Sequence, residues 1–181
     1  MFYIFLADGF EEVEALTPLD LMRRANIEVQ TVGVSGAYIT GSHNITVKAD
    51  LLVEELDIAS CDGAILPGGM PGTTNLYNCE KVLECVRKCA DEKNLVCAIC
   101  AAPLILGRLG LLEGKSAVCF PGFEDELKGA SVENMPCVTQ DNIITAKGAG
   151  AVFEFSRAII TYLKDEQTAK NILETIQCSH M

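Results

Sequence analysis

LVCAICAAPLILGRL, residues 95–109, decides the fold. Residues 95–99 make a short unbroken apolar run, the pattern of a strand buried on both faces of a sheet. From 101 to 109 the pattern turns helical, and Pro103 falls in the first turn, where a residue without an N–H is tolerated. Small residues join the two, so the stretch reads as a strand bending sharply into a helix. Working outward, residues 2–7 read as a first buried strand, with Asp8-Gly9 as its turn. A helix is expected over 11–25, with Val13, Leu16, Leu19, Leu21 and Met22 on one side. Pro18 lies inside it and should kink it. Residues 27–34 read as a second strand, and 34–49 as a hairpin or loop of β character. Residues 63–66 form a third strand, stopped by Pro67-Gly68-Gly69. Residues 78–93 read as an amphipathic helix with Val82, Cys85, Val86 and Cys89 inward. Further strands are expected at 116–120, 137–140 and 143–146, and helices at 150–163 and 166–176. Strands alternating with helices predict a single α/β domain over 1–181, its mostly parallel sheet covered on both faces.

The chain of 181 residues is 49% hydrophobic and 22% charged, enough apolar surface to build a core. Its formal net charge of −11 repels phosphate backbones and anionic lipid, which argues against nucleic-acid and membrane partners. The apolar opening has no basic start and ends at Asp8, too short for a secretory signal. The longest apolar stretch, 96–112, contains Pro103 and Arg108 and falls short of a membrane span. Nine cysteines without an export signal read as reduced thiols in the cytoplasm. Cys61, Cys79, Cys85, Cys89 and Cys119 read as small buried hydrophobes.

Cys100 stands apart, because ligands in open α/β sheets bind where strands end and helices begin. At that bend its side chain would lie over the first amides of the following helix, and a thiolate pKa well below the free value of about 8.5 is expected. The arrangement parallels a nucleophile elbow with cysteine in place of serine. Cys97 and Cys100 also form C-x-x-C, but Cys97 lies within the strand and should face the core. The turn 67–74 can present backbone N–H groups to an anion, although it matches neither a P-loop nor a dinucleotide fingerprint. Glu11, Glu12 and Glu14 open the first helix at the same sheet edge, and any one of them could exchange a proton with the thiol. The only histidines, His43 and His180, are poorly placed to serve as its base. No cysteine–histidine spacing suits zinc, and neither metal nor cofactor is expected.

Four segments, 7–29 (ADGFEEVEALTPLDLMRRANIEV), 66–76 (LPGGMPGTTNL), 98–115 (AICAAPLILGRLGLLEGK) and 147–160 (KGAGAVFEFSRAII), resemble the ThiJ/PfpI superfamily in order over nearly the whole chain. The similarity is to the branch of the Parkinsonism-associated protein deglycase and bacterial YajL. It implies a flavodoxin-like αβα sandwich, commonly a homodimer. It carries the family's reactive cysteine to Cys100 and its partner carboxyl to Glu14. The backbone N–H groups that hold an oxyanion or an oxidised sulfur fall on Gly69 and Ala101. Members acting as peptidases have histidine directly after the cysteine, where this chain has Ala101. Others place a histidine ahead of a proline near the thiol; this chain has Phe120 before Pro121. The Gly-Pro-Gly of some relatives reads Gly148-Ala149-Gly150.

Three functions are expected from this reading. In the first, Cys100 attacks a small reactive carbonyl, Glu14 moves the proton, and the two amides stabilise the oxyanion, as in a glyoxalase or deglycase. In the second, Cys100 senses peroxide through a sulfinate, in a redox sensor or stress chaperone. The third, a link to thiamine or thiazole synthesis, follows from the family label alone. No basic residue is evident beside the glycine turn to take a phosphate, and Arg23 and Arg24 read as helix-surface charges.

Overall fold

The computed structural model describes residues 1–178; His180 lies outside them. Strand β1 (Phe2–Leu6) leads through helix α1 (Glu12–Arg24) to β2 (Val29–Gly33). A hairpin of β3 (Tyr38–Thr40) and β4 (Thr46–Lys48) and the short β5 (Leu51–Leu52) precede β6 (Gly63–Leu66). Helices α2 (Gly72–Tyr77) and α3 (Glu80–Asp91) then lead to β7 (Leu95–Ile99) and α4 (Pro103–Arg108). β8 (Ser116–Ala117) and β9 (Ser131–Val132) pair with each other, and β10 (Cys137–Gln140) turns into β11 (Ile143–Ala146). Helices α5 (Val152–Leu163) and α6 (Glu166–Thr175) follow. The main sheet runs β10-β11-β7-β6-β1-β2-β5, and every pairing is parallel except β10 with β11. This is the expected α/β fold with helices on both faces. Among the described residues, no helix is long and apolar enough to cross a membrane.

Side chains alternate across the pleat, and the two faces build separate cores. Tyr3, Phe5, Ala64, Leu66, Val96 and Ala98 pack with α3 and α4, against Val82, Val86 and Ile105. Ile4, Leu6, Ile65, Cys97 and Ile99 pack with α1, α5 and α6, against Leu21, Met22 and Phe155. On α5 the buried set Val152, Phe155, Ser156, Ile159 and Ile160 follows helical spacing. Fully burying a side chain such as Phe155 contributes roughly 1.5–3 kcal/mol.

Some expected boundaries move, each for a local reason. The strand expected over 116–120 ends at Ala117. Beyond it, the Val118 N–H donates to Thr145 Oγ1 at 3.0 Å and the Phe120 N–H to the Cys100 carbonyl at 2.8 Å, so neither joins a ladder. The helix expected over 78–93 is preceded by a separate one, α2, which begins in the glycine turn. The first turn of the expected 150–163 helix is 3-10 (Ala149–Ala151). α1 runs as one element through Pro18. Cys61, Cys85, Cys89 and Cys119 are buried as expected, whereas Cys79 is half-buried.

Candidate active site

The C-terminal ends of β1, β6, β7 and β11 come together at one edge of the sheet, and the loops leaving them interlock. Glu11 N–H donates to the Gly68 carbonyl at 2.9 Å, and Gly72 N–H to the Gly9 carbonyl at 3.2 Å. The approach is close enough to require glycine. A Cβ on Gly69, whose φ is +88°, would lie 2.5 Å from both the Gly9 oxygen and the Glu11 nitrogen.

Cys100 follows β7 directly and has a φ of 65°, a left-handed conformation that costs a non-glycine residue roughly 1–3 kcal/mol. Three hydrogen bonds hold the bend. Cys100 N–H donates to the Ala146 carbonyl at 2.9 Å, Phe120 N–H to the Cys100 carbonyl at 2.8 Å, and Ala102 N–H to the Ile99 carbonyl at 3.0 Å. The side chain is half-buried. The Gly69 and Ala101 N–H groups donate toward its sulfur.

Glu14 reaches the same point from α1 and is 1% exposed. Its Oε2 accepts the Gly68 N–H at 2.9 Å, while its buried Oε1 has no partner among the described residues. Gly68 faces both the carboxyl and the cysteine: a Cβ there would lie 2.6 Å from Cys100 Cβ and 2.7 Å from Glu14 Oε2. Burial pushes the Glu14 carboxyl up to about 7, against the pull of the Gly68 N–H and the Cys100 thiol, with Glu11 adding to the rise.

The expectation of a depressed thiol is corrected. Burial, then the Glu14 charge and its hydrogen bond, push Cys100 up to about 12, outweighing the Gly69 and Ala101 amides. The helix that was to supply a favourable dipole, α4, has only six residues and starts three positions beyond the cysteine. The repulsive part of this shift exists only while Glu14 is ionised. A protonated Glu14 carries no charge and can donate its hydrogen to sulfur, so the thiolate is favoured when the carboxyl holds the proton.

Gly148, after β11, faces both Phe120 and the free oxygen of Glu14. A Cβ there would be 3.2 Å from Phe120 Cδ2 and 3.9 Å from Glu14 Oε1. Beside it lies a groove of about 440 Å³ lined by Phe120, Pro121, Pro136, Lys147 and residues 148–151. Phe120, 47% exposed, forms its rim.

The other candidates serve different ends. Cys97 is fully buried on the α1 face of β7, with burial holding its thiol well above the usual range. Glu12 turns away from Cys100 to clip the β3–β4 hairpin. It accepts the His43 N–H at 2.8 Å, the Ile45 N–H at 3.4 Å and the His43 ring at 3.0 Å. Burial opposes ionisation of Glu12, but those bonds prevail and hold its pKa down, and they raise that of His43. His43 therefore has a carboxylate partner that its spacing did not suggest. Glu11, Glu12 and His43 bring their ligand atoms within 4.8 Å of one another, an arrangement these hydrogen bonds account for. Arg23 pairs with Asp50 and Arg24 with Asp20, both away from Cys100. Sequence reasoning missed the roles of Gly68 and Gly148; the glycine turn was the only signal for the first.

A family model described as DJ-1/PfpI matches residues 2–162. The chain is 34% identical over 170 residues to DJ-1 homolog B of Arabidopsis thaliana, a match covering 92% of this chain but only 39% of that protein's length. A protein of Pyrococcus abyssi named as a deglycase is 31% identical over 163 residues, covering 89% of this chain and 98% of that one. The solved structure of oxidised Toxoplasma gondii DJ-1 superposes with a TM-score of 0.93 at 29% identity, covering 97% of each chain.

Proposed function

Because this chain belongs to the DJ-1/PfpI family, we propose that Cys100 and Glu14 convert small α-oxoaldehydes into hydroxy acids, without a cofactor. The observation that carries the reading is the meeting of a half-buried sulfur, a buried carboxyl that titrates near 7, and two N–H groups aimed at the sulfur. With methylglyoxal, the proton of Cys100 passes to Glu14 and the sulfur adds to the aldehyde carbon. The carbonyl oxygen becomes an oxyanion, stabilised by the Gly69 and Ala101 amides, and takes a proton to form a hemithioacetal. Glu14 as carboxylate removes the hydrogen from the former aldehyde carbon, and a proton returns to the neighbouring carbon. The product is a lactoyl thioester. Water hydrolyses it to lactate and frees the thiol, so one methylglyoxal and one water become one lactate. The name of the Pyrococcus abyssi relative fits this carbonyl chemistry.

Lactate formation measured on the wild type, Cys100→Ser and Glu14→Gln tests the proposal. Both variants should lose at least about a hundredfold in rate, the range for removing a nucleophile or a positioned acid–base group. Equal rates in all three overturn it. The exposed apolar side chains Val13, Tyr38 and Ile45 on α1 and around the hairpin support a homodimer through that face. Sedimentation at micromolar concentration should give twice the 19.5 kDa chain mass.

A second reading has its own support in the two amides aimed at the sulfur and in the oxidised relative from Toxoplasma gondii. In it Cys100 reduces two equivalents of hydrogen peroxide to water and becomes a sulfinate held by the amides and Glu14. Selective gain of two oxygens at Cys100 under graded peroxide supports it; oxidation spread evenly over the nine cysteines counts against it.

A further inference from the structure

At the opposite end of β6 and β7 from Cys100, a second set of thiols lies beneath the sheet. Cys61 lies two positions before β6, while Cys85 and Cys89 sit one turn apart on α3. All three are fully buried. The sulfurs of Cys61 and Cys89 are 3.4 Å apart. The Cys61 thiol also donates to the carbonyl of Gly63, the first residue of β6, at 3.6 Å. The Cys89 carbonyl accepts the N–H of Asn94, which leads into β7, at 2.8 Å. The Lys88 ammonium donates to the Cys61 carbonyl at 2.9 Å, which places a positive charge beside the pair. The five residues of β7 separate this cluster from Cys100 by roughly 17 Å, at about 3.3 Å per residue.

We propose that Cys61 and Cys89 are a second redox site, which a hydroperoxide oxidises to a reversible disulfide. The Cys61 sulfur attacks one peroxide oxygen. The O–O bond breaks, and the other oxygen leaves as water or an alcohol with the thiol proton. Cys61 becomes a sulfenic acid, and the Cys89 sulfur attacks it. Water departs with the hydroxyl and the Cys89 proton as the S–S bond forms. The two thiols thus give two electrons to one hydroperoxide. Cys61 is the attacking sulfur because its neighbours favour its thiolate. The Cys85 and Cys89 thiols donate to it and Lys88 lies close by, and together they overcome burial and hold Cys61 below the usual thiol range. Both sulfurs are sealed from solvent, so the reaction waits on local opening of α3 and runs more slowly than oxidation at half-buried Cys100. The cross-link ties α3 to the foot of β6, the strand whose other end leads through Pro67 to Gly68 and Gly69.

The test is a peptide map of the full chain after exposure to hydrogen peroxide, with free thiols blocked by iodoacetamide in denaturant and no reductant added. The expected result is a linked pair of peptides holding Cys61 and Cys89, about 2 Da lighter than their sum, which dithiothreitol separates. Cys61→Ser and Cys89→Ser should each abolish it, while Cys85→Ser and Cys100→Ser should keep it. Recovery of both residues as alkylated thiols, at peroxide doses that fully modify Cys100, overturns the proposal. So does a link from Cys61 to Cys85 in place of Cys89. The wild-type digest decides the matter without any variant, so a substituted protein that fails to fold does not obscure it. Persistence of the link in Cys100→Ser separates this site from the chemistry proposed above.

Discussion

Replacing Glu14 with glutamine should change the shape of the pH dependence of Cys100 reactivity, as well as its size. In the wild type, carboxyl and thiol titrate as a pair, losing a first proton near 7 and a second near 12. The singly deprotonated pair includes the form with sulfur ionised and carboxyl protonated, so thiolate content climbs with pH and levels off above 7. A group titrating at about 7 goes from one-tenth to nine-tenths deprotonated between pH 6 and 8, a rise of about tenfold. In Glu14→Gln no carboxyl remains and the thiol titrates alone. Burial still holds it up, but the loss of the Glu14 charge places it below about 12. Well below its own pKa, a thiol gains a factor of ten per pH unit, or about a hundredfold over the same span. The assay is the initial rate of iodoacetamide alkylation at Cys100, followed by peptide mass spectrometry, with Cys100→Ser as the blank. A wild-type rate that climbs as steeply as the variant's through pH 8, or a bend near 7 that survives in Glu14→Gln, would refute the coupling.

Stability should report the same carboxyl. Its folded pKa, about 7 against an ordinary 4.5, means the native state holds the proton more tightly, so the resulting stabilisation is full below 4.5 and lost as pH rises through 7. Urea unfolding should show Glu14→Gln gaining up to about 3 kcal/mol on the wild type between pH 4.5 and 8; a difference that stays constant with pH counts against this. Gly68→Ala puts a methyl group within 2.7 Å of both Cys100 Cβ and Glu14 Oε2. It should cost about 1–3 kcal/mol and abolish lactate formation, and wild-type behaviour in both measurements would contradict the packing. Glu12→Gln weakens the clip on the β3–β4 hairpin, costing about 1–2 kcal/mol, and the His43 titration followed by NMR should fall back toward the ordinary imidazole range.

The strands at 63–66, 95–99, 137–140 and 143–146 were legible to the residue; 95–99 and 143–146 are short buried apolar runs, and 137–140 is a half-exposed edge partner of 143–146 across a tight turn. The two-residue β5 and β9 were not, since so short a pairing leaves no periodic trace. α2 was hidden for another reason: Gly72-Thr73-Thr74 has poor helix propensity, and the turn is fixed by the Thr73 N–H on the Gly69 carbonyl and the Asn75 N–H on the Pro71 carbonyl. Position alone singled out Cys100. Choosing Glu14 among three glutamates was beyond spacing and came only with the resemblance. The structure separates them by environment, with Glu12 committed to the hairpin and Glu14 buried beside Gly68. The thiol expectation failed because charge and burial are properties of the assembled loops, whereas the local bend and the nearby helix start are properties of the sequence.

The two readings of Cys100 make different demands on Glu14, and that difference separates them. Turnover needs the carboxyl to take a proton and return it in every cycle. Holding a sulfinate needs only a hydrogen-bond donor that remains in place. A glutamine at position 14 can donate an N–H but cannot carry a proton, and its oxygen can still accept the Gly68 N–H that now holds Oε2 at 2.9 Å. Glu14→Gln should therefore lose lactate formation while Cys100 still gains two oxygens under peroxide. If the substitution leaves turnover intact, the proton is carried by another group, and the unpartnered oxygen facing Gly148 and Phe120 is not where substrate chemistry occurs.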